Sequence, residues 1–282
     1  MAGKVIDDYA VVLSNDIVDD TARMLEVCVA AEPYVDAVKI GITSSMVPGV
    51  DVFERAKTAM NGKPVLADYK VADIGFRAKD ESWQGTNAKI LRALTAADAS
   101  YITVHTFPGL SSIEEAIAVA HETGGRVLTL PYMTHKGADL FFGMPLDDAQ
   151  HQHIDDALVR YGIDVNQTTL RADLAGCGTI TDVILMLGQH FGVDGFIAPA
   201  NNPTLLRRYR ERTDGELWCP GFGRQSDVSM DAQFENWARI VGPNSAAIVG
   251  SAIYKDEDPA RAAEEIRAYR DQAVARLTDG SR

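Results

Sequence analysis

Short runs of apolar, β-branched residues alternate with longer amphipathic stretches from one end of the chain to the other. The strand-like runs fall at 9–14, 35–40, 64–68, 99–105, 126–130, 195–198, 217–219 and 246–249. Helical spacing occupies 20–31, 50–60, 86–96, 111–122, 180–191, 203–211, 230–240 and 259–277. A strand followed each time by a helix is the pattern of parallel βα units. Eight such units over 282 residues predict an α/β fold, a (β/α)₈ TIM barrel in a single domain spanning 1–282. A doubly wound open sheet is the competing architecture. Runs without strict alternation, such as Tyr101–Ile102–Thr103–Val104, suit strands buried on both faces.

Two stretches break the repeat. After the fifth strand, residues 141–178 hold one helical segment near 154–161 and then polar text, VNQTTLRADLAGCGT. This reads as an insertion, with a lid, an interface element and a long connection all open. A smaller insertion, about 76–85, follows the third strand. No internal repeat or Pro/Ser-rich linker interrupts the chain.

Composition narrows the function by exclusion. Lys+Arg number 27 against 40 Asp+Glu, a formal charge of −13, so nucleic acid is not an expected partner. No apolar run approaches the roughly 20 residues of a membrane span, so no membrane partner is expected. Asp7 and Asp8 precede any long apolar stretch, which does not read as a secretory signal. Cys28, Cys177 and Cys219 are widely spaced, odd in number and without a CxxC pair. They read as inert core thiols of a cytoplasmic protein. The GxSxG elbow, the Walker pattern and the GxGxxG fingerprint are missing. His151 and His153, two apart on a helical stretch, point to different faces and suggest no metal site.

In a parallel barrel, functional groups gather where strands end and βα loops begin. Those places hold Asp16 after the first strand, Lys39 in the second, Asp68, Lys70 and Asp73 around the third, and His105 at the end of the fourth. Asp68 and Lys70, two apart in extended chain, share a face. Charges are rare in strand interiors unless paired. Carboxylates alternating with ammonium groups on adjacent strand ends hold one another ionised. Such a fixed field can stabilise charge that appears only in a transition state. His105 reads equally as support for this array and as a hydrogen-bonded histidine at the barrel top.

The segment ADYKVADI resembles the DxKxxD motif of the orotidine 5′-monophosphate decarboxylase superfamily. DAVKIG, YITVHTFPG, MTHKGA, CPGFG and IVGSAIY follow in that family's order at the expected strand ends, and GTNAKI matches its helix start. These blocks run from Val11 to Tyr254. The resemblance implies a homodimer with two shared sites and a small-molecule nucleotide substrate, with no cofactor. Asp16 and Lys39 would then bind the ribose hydroxyls, Asp68 would face the substrate carboxylate, and Lys70 would protonate carbon 6 of the pyrimidine. Asp73, Ile74 and Thr86 would act across the dimer. Thr134 would contact the base, and Gln225 would bridge base and phosphate. Magnesium-dependent sugar-phosphate enzymes of the superfamily carry an acid at the place of Lys39, where an ammonium would repel a cation.

One departure stands out. Family members end the eighth strand in Gly-Arg, the arginine clasping the 5′-phosphate, whereas here Gly250 is followed by Ser251. A serine replaces neither the charge nor the paired hydrogen bonds. Arg224, beside Gln225, is the candidate substitute, and backbone amides near Gly250 could also receive an anion. Decarboxylation of orotidylate is the leading expectation. A related nucleotide or nucleoside substrate, a magnesium-dependent sugar-phosphate lyase and a non-catalytic nucleotide-binding barrel are the alternatives.

Overall fold

The structure is a computed structural model that describes residues 6–163, 169–223 and 228–279. The first half comprises β1 (Ala10–Asn15), α1 (Thr21–Ala31), β2 (Ala37–Gly41), α2 (Ile42–Ser45), α3 (Asp51–Ala59), β3 (Val65–Val71), α4 (Thr86–Ala96), β4 (Tyr101–Val104), α5 (Leu110–Glu122) and β5 (Arg126–Thr129). The second comprises α6 (Asp148–Tyr161), α7 (Leu170–Ala175), α8 (Ile180–His190), β6 (Gly195–Ile197), α9 (Pro203–Arg212), β7 (Glu216–Phe222), α10 (Met230–Val241), β8 (Ser245–Val249), α11 (Ser251–Tyr254) and α12 (Pro259–Asp279). The strands pair in sequence order, all parallel, and β8 returns to β1 with Val12 opposite Ile248, closing the barrel.

Period two sorts each strand into an outer and an inner set. Val11, Leu13, Val38, Val65, Ala67, Ile102 and Val127 pack outward under the helices. Ala10, Val12, Ala37, Leu66, Tyr101, Leu128, Trp218, Ala246 and Ile248 form a separate cluster that fills the barrel. Continuing that inner parity one step toward the C-terminal mouth reaches Ser14, Lys39, Asp68, Thr103, Leu130, Pro220 and Gly250. The polar site is therefore the next layer above an apolar plug. That apolar layer lowers the local dielectric beneath the site, which strengthens the interactions of its charges.

The structure corrects several boundaries. β3 runs on to Val71 and β7 to Phe222, each past a register shift and beyond the expected ends at 68 and 219. α6 starts at Asp148, because Asp147 and Gln150 form a reciprocal capping box ahead of the expected helix. α7, α2 and α11 are additional short helices. Within 141–178, Leu158, Leu170, Leu174 and Cys177 are buried in the main core. Pro145 bridges Thr179 at the neck, and the Tyr161 hydroxyl donates to Glu114 on α5 at 2.6 Å. Cys28, Cys177 and Cys219 are buried free thiols, and burial pushes that of Cys28 up to about 11.

Candidate active site

Four of the expected residues meet at the C-terminal mouth. The Lys39 Nζ donates to Asp16 Oδ1 at 3.2 Å and to Asp68 Oδ2 at 3.1 Å. The Lys70 Nζ donates to Asp68 Oδ1 at 2.7 Å. Carboxylate and ammonium thus alternate along β1, β2 and β3, in the order Asp16, Lys39, Asp68, Lys70. Register explains the adjacency: Ser14 lies opposite Lys39, and Gly41 opposite Asp68, so each charged side chain leans toward the next strand.

Electrostatics fix the protonation states of the two inner members. Burial works against the ammonium of Lys39, but the attraction of Asp68 and then Asp16 outweighs it and raises its pKa above that of an ordinary lysine. Burial likewise opposes the Asp68 carboxylate, yet Lys39 and Lys70 together hold it below the usual carboxylate range. His105, one step above Thr103 on the inner face of the barrel, moves the other way. Burial first, and then the charge of Lys70, push it down to about 4, so it stands neutral beside the array at pH 7.

Asp16, Lys39, Asp68 and Lys70 border a cavity of about 430 Å³, within the range of small-molecule sites. Thr134, His135, Gly250 and Ser251 line it, as do Tyr132 and Tyr254. Asp73, Ile74 and Thr86 do not. All three are exposed, on the loop after β3 and at the start of α4. Arg224 and Gln225 lie outside the described residues. Gly137, Gly221 and Gly223 have positive φ, a backbone conformation open to glycine. Gly75 differs: a Cβ there would sit 2.0 Å from the Ser111 carbonyl oxygen, so close packing against α5 excludes any side chain.

A second set of residues, not anticipated from sequence, holds the Asp73 segment. Asn87 Oδ1 accepts the Asp73 N–H at 3.0 Å, and Asn87 Nδ2 donates to the Asp73 carbonyl at 2.8 Å. The Ser112 hydroxyl reaches the same carbonyl at 2.6 Å. Glu115, fully buried on α5, accepts the N–H groups of Phe76 and Gly85, the two ends of the smaller insertion, at 3.3 and 2.7 Å. Ser14 and Thr103 were missed as well: Ser14 Oγ donates to Asp16 at 2.9 Å and Thr103 Oγ1 to Asp68 at 2.9 Å. Both were legible as the inner positions of their strands.

A family model described as Orotidine 5'-phosphate decarboxylase / HUMPS family matches residues 11–266. The chain belongs to that family. Among its relatives, the orotidine 5'-phosphate decarboxylase of Methanocaldococcus jannaschii is 27% identical over 259 residues, 92% of this chain and 96% of that protein. The crystal structure of the Methanocaldococcus jannaschii orotidine 5'-monophosphate decarboxylase complexed with inhibitor BMP superposes with a TM-score of 0.70 at 26% identity. That match covers 94% of this chain and 99% of the other. A 3-hexulose-6-phosphate synthase superposes with a TM-score of 0.59 at 19% identity, covering 92% of this chain and 99% of the other, a likeness of fold alone. Lys39 stands at the centre of the array. Its ammonium sits between the carboxylates of Asp16 and Asp68, filling the space a divalent cation bound by both would need.

Proposed function

We propose that this member of the orotidine 5'-phosphate decarboxylase / HUMPS family converts orotidine 5′-monophosphate to UMP and carbon dioxide. The observation that carries the reading is the Asp16–Lys39–Asp68–Lys70 chain at the mouth of the barrel. Asp68, held ionised, faces the substrate carboxylate, and their repulsion is relieved as the bond from that carboxylate to carbon 6 breaks. The electron pair stays on carbon 6, where the Lys70 ammonium stabilises it and then donates its proton. Lys39 and Asp16 hold the ribose hydroxyls and brace Asp68, and Thr134 contacts the base. No metal or cofactor takes part, since ring and lysine together receive the charge.

Asp73, Ile74 and Thr86 serve the site of a second copy in this reading. Ile74, Phe76, Phe107, Met46 and Val47 are exposed on the loops after β2, β3 and β4, the side of the mouth on which Asp73 is presented. A homodimer burying them would carry Asp73 into the partner's cavity. The 5′ end is the point at which a second reading is favoured. Ser251 lines the cavity where an arginine would clasp phosphate, and no cation borders that end among the described residues. A carboxylated nucleoside or a nucleotide with another 5′ group then replaces orotidylate.

An absorbance assay of the pyrimidine ring, run on orotidylate beside orotidine, decides. Loss of the orotidylate signal, abolished by Lys70→Ala and unaffected by chelator, is expected. Arg224→Ala raises KM strongly if that arginine serves the phosphate. Preference for the nucleoside selects the second reading. Release of no carbon dioxide from either, or activity lost to chelator and restored by magnesium, overturns the proposal.

A further inference from the structure

Lys70 is one of the few non-glycine residues with positive φ, at 48°. That left-handed region is unfavourable for a lysine and persists only where the surroundings impose it. The cause lies in the pairing of β3 with β4. Ala67 is opposite Ile102 and Val71 opposite Val104, so three residues of β3 face Thr103 alone. Within this bulge the Lys70 N–H does not enter the ladder. Thr103 Oγ1 accepts it at 2.8 Å, and the same hydroxyl donates its own proton to Asp68 Oδ1 at 2.9 Å. That carboxylate oxygen also accepts from Lys70 Nζ at 2.7 Å. The backbone of Lys70, its ammonium, the Asp68 carboxylate and the Thr103 hydroxyl therefore close a ring. Regular pairing resumes immediately above, where His105 N–H donates to the Val71 carbonyl at 2.9 Å.

We infer that Thr103 is a positioning residue, whose hydroxyl holds the β3 bulge and thereby fixes the Lys70 ammonium against the Asp68 carboxylate. Thr103 is fully buried and uses its only proton and one lone pair in these two contacts. Without the hydroxyl, the Lys70 N–H loses its partner, Asp68 loses a donor, and nothing compensates the strained φ. β3 then relaxes toward regular pairing, which turns the Lys70 side chain away from its place two residues above Asp68.

The catalytic consequence rests on the decarboxylase reading, whereas the structural one does not, and the experiment separates them. Thr103→Val preserves shape and removes the hydroxyl, Thr103→Ala removes it without adding a methyl group, and Thr103→Ser restores it. Two readouts are taken on the full chain: steady-state decarboxylation of orotidylate, and hydrogen exchange of the Lys70 amide without ligand. In Thr103→Val, kcat falls and the Lys70 amide exchanges faster, each by roughly tenfold or more, while KM changes far less. Thr103→Ser returns both toward wild type. If Thr103→Val fails to fold, the same outcome is required of Thr103→Ala. A protected Lys70 amide with unchanged kcat, or equal impairment in Thr103→Val and Thr103→Ser, overturns the inference. A wild-type chain inert toward orotidylate refutes the decarboxylase reading instead, and the exchange rates still decide the role of Thr103.

Discussion

Replacing Glu115 by alanine removes a fully buried carboxylate that has no cationic partner among the described residues. Its charge is met by backbone alone: Gly85 N–H at 2.7 Å, and Phe76 and Ala88 N–H at 3.3 Å. Gly85 is the N-cap of α4 and offers no side chain, so Glu115 performs from another helix the task of a capping box. Phe76 is half exposed, and water can replace the carboxylate at its N–H. Gly85 and Ala88 are buried, and each N–H left unpaired costs about 1–3 kcal/mol. The expected loss is about 3–4 kcal/mol, or a fall in Tm of about 6–16 °C on the slope for large domains. Glu115→Gln keeps the two bonds to Oε1 and sets an NH₂ against the Ala88 N–H, so its loss is about half as large. Thermal unfolding monitored by circular dichroism measures both variants. Where opening stays local, limited proteolysis within 76–85 accelerates instead. A Glu115→Ala protein that melts within about 2 °C of wild type and resists cleavage there would refute the reasoning.

Other consequences follow from the same contacts. Lys39→Met strips Asp68 of one of its two cations, so the Asp68 pKa rises and activity falls at least a hundredfold at neutral pH, roughly 3 kcal/mol of transition-state stabilisation, read as kcat/KM against pH. Gly75→Ala forces its Cβ onto the Ser111 backbone and destabilises by about 2 kcal/mol or more, visible in urea midpoints. The pH dependence has a defined sign. His105 binds its proton less tightly folded, at about 4, than unfolded, at 6.5, so its share of stability is present above 6.5 and lost as pH falls through 4. Asp68, also depressed, adds a loss below the ordinary carboxylate range, whereas Lys39, raised, contributes below the ordinary lysine range and loses that share only at higher pH. In melts from pH 7 to 4, His105→Gln flattens the upper part of this decline, and an unchanged slope would show that His105 is not held neutral.

The barrel was legible because its strands are buried on both faces and its helices are amphipathic, so the two periods alternate without ambiguity. The charged array was legible for a related reason: Asp68 and Lys70 stand where an interior strand position should be apolar. Thr103 escaped notice because threonine is at home in any β-strand, and only its parity with Tyr101 and His105 marks it as inward. Glu115 was hidden by its neighbour. In LSSIEEAIAVAHE the two glutamates read as one polar step on a helix, yet Glu114 binds the Tyr161 hydroxyl from the outside while Glu115 is sealed under the β3 loop. Which of two adjacent carboxylates turns inward depends on helix phase relative to a loop 30 residues away, and no local pattern carries that. The positive φ of Lys70 is equally invisible, since it arises from β4 and not from the lysine.

Burial divides the labour within the array. The side chain of Lys39 is 11% exposed and has a carboxylate on either side, whereas that of Lys70 is 37% exposed and binds one. An ammonium has three N–H bonds, so Lys70, with one carboxylate partner, keeps two donors for the cavity, and Lys39, with two partners, keeps one. On the proposed decarboxylase reading, Lys70 is the lysine placed to reach a reacting carbon, and Lys39 supplies the charge that keeps Asp68 ionised as it does so. On that reading, the order along β1, β2 and β3 places the more buried cation deep and the proposed proton donor at the edge, the arrangement in which the donor can act without dismantling the field that drives it.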